Sequence, residues 1–334
     1  MTVQDILKKS RDNELLSHDE LVFLLGLPSD SQEAFAVMAE SNRRSKEVSD
    51  GKAEVHAQLA LNLAPCPGNC IFCSFAQRNG VFTEEKRLSV DEAVSYARQF
   101  EIDGANAVFI MTTAKYPFDL FIEMSQEIKR NLDPETTLIA NVGDQSLENA
   151  IRIKDSGYTG VYHALRMREG IDTALDPEKR KQSIRNFQEA GLRVGTCVEP
   201  VGPEHTNDEI ADSIEFTASI NPSYSGSARR IIIPGTPIEE LGMISELRMS
   251  QIVAVTRLGM PRKVSGNCTH EPCTLGALAG ANLFWAEVGA NPRDIAARTE
   301  EGRGDTVEEC RTLFREANWS IWEGASRYYH TNGE

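Results

Sequence analysis

From residue 3 to residue 48 the apolar positions recur at helical spacing, with Leu15, Leu16, Leu21, Leu24 and Leu25 set among polar residues. This predicts an N-terminal helical extension over residues 1–50. Beyond it the period changes, and short apolar runs alternate with longer amphipathic stretches. Strands are expected near 55–61, 107–112, 137–142, 159–163, 193–198, 229–233, 262–265 and 282–286. Helices are expected over 90–101, 118–131, 146–156, 177–190, 207–219, 245–258 and 273–280. Strands separated by helices pair in parallel through right-handed crossovers. Eight of them predict an α/β fold, a (βα)8 TIM-type barrel over 51–320, with a C-terminal tail over 321–334. A six-stranded partial barrel is the alternative. Either form places function in the loops that follow the strand C-termini.

Composition narrows the class. The chain has 334 residues and a formal net charge of −15, which argues against a general nucleic-acid binder, since phosphate binding needs clustered Lys and Arg. No apolar run approaches the roughly 20 residues that span a bilayer. The N-terminus, MTVQDILKKSRDNELLSHDE, is charged throughout and does not read as a signal peptide. A soluble cytoplasmic protein is expected, with no nucleic acid or membrane partner.

Seven cysteines, an odd number, do not suggest a disulfide framework. Three of them fall in Pro65-Cys66-Pro67-Gly68-Asn69-Cys70-Ile71-Phe72-Cys73, just after the first expected strand. Three thiolates this close can surround one metal centre, and no fourth protein ligand is apparent locally. On a four-iron cluster three cysteines leave one iron open. An open iron can chelate the amino and carboxylate groups of S-adenosylmethionine (SAM). A zinc site completed by His56 or His163 is the competing reading.

Cys-x3-Cys-x2-Cys with an aromatic, Phe72, before the last cysteine resembles the signature of the radical SAM superfamily. The resemblance extends to the biotin synthase-like branch, which includes the hydrogenase maturase HydE and methylornithine synthase. It rests further on the helix from Arg180 to Ala190-Gly191, on Pro234-Gly235-Thr236-Pro237, and on Gly280-Ala281-Asn282. It implies reductive cleavage of SAM to a 5′-deoxyadenosyl radical that abstracts substrate hydrogen. Cys66, Cys70 and Cys73 would hold the [4Fe-4S] cluster, and Arg180 would bind the SAM carboxylate. Glu169 falls where relatives place an acidic or amide residue near SAM or substrate. Thr112 and Thr113 occupy the second-strand position for the SAM amino group, although Met111-Thr112-Thr113-Ala114 departs from the usual Gly-Gly-Glu. Phe72, Asn141 and Pro234 complete the implied cofactor-binding set.

Three more cysteines are candidates for a second centre. Cys197 ends the fifth expected strand, and Cys268 and Cys273 lie in the loop expected after the seventh. Barrel loops open on one rim, so an auxiliary [4Fe-4S] cluster held by these three is expected, with zinc or unliganded thiols as the bland alternatives. Biotin synthase uses such a cluster as sulfur source, but Ile110 and Ala140 stand where its other ligands would lie. Sulfur insertion at an unactivated C–H bond is the leading function, as in biotin or lipoyl synthases. Radical rearrangement or metallocofactor maturation is the alternative. Tyr116, Tyr162, His163, Arg229, Arg230 and Trp285 are candidate lining residues. The resemblance also implies a flavodoxin or ferredoxin as electron donor, and a small-molecule or carrier-bound acyl substrate.

Overall fold

The structure is a computed structural model and describes residues 1–288 and 304–330. Residues 289–303 of the expected barrel and 331–334 of the expected tail lie outside the described residues. Eight parallel strands close into a ring. The first (Lys52–Ala60) pairs with the second (Ala107–Met111) on one side and the eighth (Leu283–Val288) on the other. The third (Leu138–Asn141) and fourth (Gly160–Tyr162) follow the second. The fifth runs in two pieces: Arg193–Gly195 pairs with the fourth, and Val198–Val201 pairs with the sixth (Tyr224–Arg229). The seventh (Gly266–Cys268) then joins the sixth to the eighth, completing the (βα)8 barrel.

Period-two alternation sorts each strand into two cores. In the first strand Ala53, Val55, Ala57 and Leu59 face the surrounding helices, in one apolar layer with Val108, Ile110, Leu138, Ala140, Phe284 and Ala286. The opposite face points inward. Phe109, Ile139, Leu283 and Trp285 pack there with Tyr162, Tyr224, Tyr328 and Tyr329. His56 stacks on Phe109 at 5.4 Å and bonds to Glu54 (3.0 Å) deep in the barrel. The zinc role considered for His56 is thus taken up by a structural pair.

The helices begin where capping chemistry starts them. Ser89 with Glu92, and Thr206 with Glu209, form reciprocal capping boxes at the heads of Val90–Ile102 and Asn207–Ser219. Three helices, Val3–Arg11, His18–Leu25 and Gln32–Val48, make up the N-terminal extension. Glu246–Gly259 is buried along almost its whole length, between the barrel and this extension. Fully buried Arg44 donates to the carbonyls of Leu258 (3.0 Å) and Met260 (2.6 Å), satisfying the end of that helix.

Two strands differ from the sequence expectation. The sixth is Tyr224–Arg229 rather than 229–233, because small residues let the helix approach: Ser227 bonds to Thr256 of Glu246–Gly259 at 2.7 Å. The apolar run Ile231–Ile233 lies in the loop beyond. The seventh is Gly266–Cys268 rather than 262–265, so Cys268 lies within a strand and not in the loop after it. Gly226 pairs with Cys268 at φ +153°, and any Cβ there would collide with the Cys268 backbone.

The stretch read as a tail turns back into the barrel. Ser320–Ile321 pairs with the first strand, and Tyr328 and Tyr329 fill the barrel base. Gly160 and Gly195 make room for them, since a Cβ at either would strike Tyr329. Among the described residues, no helix is long and apolar enough to cross a membrane.

Candidate active site

A cavity of about 370 Å³ opens at the C-terminal ends of the strands. Its rim is the loop after the first strand. The Cys66 N–H donates to the Phe75 carbonyl (2.6 Å) and the Gln77 N–H to the Cys66 carbonyl (3.0 Å), folding the cysteines into a compact turn. The Asn79 amide donates to the carbonyls of Cys73 (2.8 Å) and Ile71 (3.1 Å). Two backbone bonds, Ile71 N–H to Asp172 (3.0 Å) and Ala174 N–H to Gly68 (2.8 Å), clamp this loop to the one after the fourth strand. Cys66, Cys70, Phe72 and Cys73 all line the cavity.

Burial pushes the Cys70 thiol up to about 11, against the pull of Arg166, and raises that of Cys73 further. Such thiols keep their protons unless a metal displaces them. The donor set fits a cluster: three soft ligands lie on one loop beside a cavity able to hold a further molecule.

Thr112, Thr113, Asn141 and Arg180 line the same cavity, as do Tyr162, His163, Arg229, Arg230 and Trp285. The remaining expected residues do not line it. Glu169 closes its own loop, accepting from the Arg166 N–H (2.8 Å) and the Thr173 hydroxyl (3.3 Å). Pro234 sits in the turn beyond the sixth strand, and Tyr116 packs in the outer core under Arg87.

The two arginines near the cysteines differ. Arg180 is engaged, with Nε 3.1 Å from Asp144 and its other end against the His163 ring. Burial and Arg180 push the His163 imidazole down to about 3, so it is neutral and donates to Asp144 at 3.0 Å. That network leaves His163 no part in a zinc site. Arg166 lines the cavity with no side-chain hydrogen bond or ion pair among the described residues. Burial opposes its charge, but the carboxylates of Glu169 and Glu199 more than offset this and hold it cationic. The sequence reading singled out none of Arg166, Asp144 and Glu199 as a site residue. Their one signal was position just beyond, or within, a strand end.

At the cavity base Tyr162, His270 and Trp285 form a triangle of rings, 5.3–5.9 Å between centroids. Glu199 accepts from the Tyr162 hydroxyl and lies 3.2 Å from His270 Nδ1. Behind this layer the sulfurs of Cys197 and Cys268 are 2.6 Å apart, both residues buried. One donor atom each from Cys197, Cys268 and His270 lies within 4.8 Å of the others. Burial raises the Cys268 thiol, but contacts with Cys197 and His270 bring it to about 7 overall, while burial holds Cys197 well above its usual range. Cys273 does not join them. It heads the helix Thr274–Leu278, its sulfur accepting from the Gly276 N–H at 3.2 Å.

The profile of the radical SAM superfamily matches residues 65–217, the segment that carries the three-cysteine loop. The biotin synthase of Anaplasma marginale (strain Florida) is 26% identical over 264 residues, covering 73% of this chain and 78% of that protein. The biotin synthase of Mycobacterium leprae (strain Br4923) is 25% identical over 291 residues and covers 82% of each chain. Among solved structures, methylornithine synthase (PylB) superposes with a TM-score of 0.78 at 15% identity, covering 97% of this chain and 98% of that one. The FeFe-hydrogenase maturase HydG from Carboxydothermus hydrogenoformans gives 0.80 at 18% identity, covering 98% and 81%. These two likenesses concern the fold. Residues 65–217 thus carry a radical SAM domain. Over most of its length the chain is similar to biotin synthases.

Proposed function

We propose that this enzyme inserts sulfur at an unactivated C–H bond, using SAM bound at the cavity rim and a second metal centre at the base as the sulfur source. The observation that carries the reading is a pair of thiol sites about one cavity: Cys66, Cys70 and Cys73 line it, and Cys197 and Cys268 lie behind the aromatic layer at its base, next to the lining residue His270. The chemistry a cluster on the upper cysteines supplies when bound is one-electron cleavage of SAM, giving the radical that removes a substrate hydrogen.

The chain's own residues do the rest. Arg166 offers an unengaged guanidinium to the SAM carboxylate, suited to a bidentate pair. Arg180 stands beside it, braced by Asp144, and positions that wall. Thr112, Thr113 and Asn141 present polar groups from the second and third strand ends, with Phe72 above them. Asn141 is itself oriented by its bond to Gln58 (2.7 Å). Trp285, Tyr162 and His270 shield the base from solvent, and substrate occupies the space between them and SAM. A low-potential flavodoxin or ferredoxin supplies the electron. The substrate is a small molecule or a carrier-bound acyl chain.

A second reading, radical rearrangement or cofactor maturation without sacrificial sulfur, draws on the separation of Cys273 from the other two cysteines. The deciding experiment is anaerobic reconstitution with 34S-labelled sulfide, followed by turnover with SAM and a reductant. Labelled sulfur in product, with matching loss of protein-bound sulfide, supports insertion. 5′-Deoxyadenosine formed with the sulfide count unchanged supports the second reading.

A further inference from the structure

We infer that His270, and not Cys273, completes the protein ligand set of the second centre, and that Cys197, Cys268 and His270 share one metal atom whose open side, where the transferable sulfide would bind, faces the cavity. The inference deepens the reading above and rests on its second centre. Three observations lead to it. The first is compactness. A thiolate binds a metal of this class at about 2.3 Å and an imidazole at about 2.1 Å, so two donors on one atom are never more than about 4.6 Å apart. All three donors here fall within 4.8 Å of one another, at about that limit, so a small shift brings them onto one atom. Three corners of a four-iron cube would hold them farther apart.

The second observation is how His270 is held. Its Nδ1 faces Glu199 at 3.2 Å, and Glu199 also accepts from the Tyr162 hydroxyl. A carboxylate on one ring nitrogen fixes the tautomer that leaves the lone pair on the other, the arrangement metal-binding histidines favour. One nitrogen of the ring lies within 4.8 Å of both sulfurs, close enough to share a metal with them. Glu199 thus acts as a positioning residue.

The third observation is access. Both cysteines are buried, at 1% and 0% exposed, whereas His270 and Glu199 line the cavity. A metal between them is closed on the thiolate side and open toward substrate. Cys273 is not among these donors: it packs against the outer core, with its sulfur engaged at a helix start.

The test uses the full chain with Cys66, Cys70 and Cys73 all changed to Ala, so that only the second centre can load. Anaerobic incubation with ferrous iron, with and without sulfide, is followed by metal counting and, after oxidation of the bound iron to the ferric state, by pulsed EPR for nitrogen coupling. Retained iron with a nitrogen coupling is expected. Adding Cys273→Ala should leave both unchanged. Adding His270→Cys should keep the iron and abolish the coupling, an outcome that does not depend on whether His270→Ala folds. Glu199→Gln should weaken iron binding about 10–100-fold, the usual cost of losing such a partner. Iron lost with Cys273→Ala, or retained with no nitrogen coupling in the parent, would overturn the ligand assignment while leaving a second centre in place. No iron retained in the parent would overturn both the assignment and the sulfur source.

Discussion

The two thiol sites are built in opposite ways. The upper one is a single loop of eight residues, Cys66 to Cys73, whose own backbone bonds and the Asn79 amide set the turn. The lower one is assembled from two strands separated by a third. Cys197 lies where the fifth strand breaks, and Cys268 lies in the seventh, reached across Gly226 of the sixth. The upper site is partly exposed, and the lower thiols are sealed behind aromatic rings. A local loop can be recognised and loaded by itself. A site made by barrel closure exists only in the folded chain.

That contrast can be broken by mutation. The largest effect is expected at the loop: Cys66→Ala, Cys70→Ala or Cys73→Ala should each cut 5′-deoxyadenosine formation by at least about a thousandfold, as for members of one catalytic unit. Cys197→Ala should leave that cleavage within about threefold of wild type while abolishing sulfur transfer, since it touches only the base. Chromatography of deoxyadenosine and mass spectrometry of product read the two apart. Equal losses from both sites would mean that they are one functional unit.

Next in size is the arginine pair. Arg166→Leu should weaken SAM binding about 10–100-fold, the range for one charge-assisted contact, with little change in melting temperature. Arg180→Leu should do the reverse, destabilising the fold by about 1–3 kcal/mol, because the half-buried Asp144 loses its cation and keeps only its bond to His163. Calorimetric titration and thermal melts distinguish them. Similar in size, Gly160→Ala should cost about 1–3 kcal/mol by overpacking, since the new Cβ would meet the Arg193 carbonyl of the next strand and the ring of Tyr329. SAM cleavage measured below the new melting point should persist.

The broadest effect, spread over several pH units, is a pH dependence. His163 titrates near 3 in the folded chain against an ordinary 6.5, so between those values the unfolded chain binds the extra proton. Stability should therefore fall as pH drops from about 6.5 toward 3. Asp144, held low by His163 and Arg180 despite its burial, adds to the loss at the acid end. His163→Asn should flatten the upper part of that slope in melting temperature against pH.

The helices were legible because their signals are local. Phe118–Asn131 falls where its periodicity put it, and Val90–Ile102 begins at its capping box. The sixth and seventh strands were misplaced because the sequence shows hydrophobicity and the barrel there uses smallness. Ser225, Gly226 and Ser227 carry no strand signal, yet they let a buried helix and Cys268 come close. That shift grouped Cys268 with Cys273 in one loop, whereas the strand end falls between them. Pro234 and Glu169 were placed near SAM by resemblance, and the structure sets them in turns beside the cavity.

By itself the sequence determined the three-cysteine loop, the alternation of strands and helices, and the helical lead-in. Each is encoded within a few residues, where spacing and backbone geometry suffice. The tertiary structure alone decided which cysteines meet, that His270 joins them, that Arg166 stands unengaged while Arg180 is paired, and that the last tyrosines plug the barrel. Those outcomes depend on contacts between residues far apart in the chain, fixed by how eight strands twist and close, and no local pattern records them.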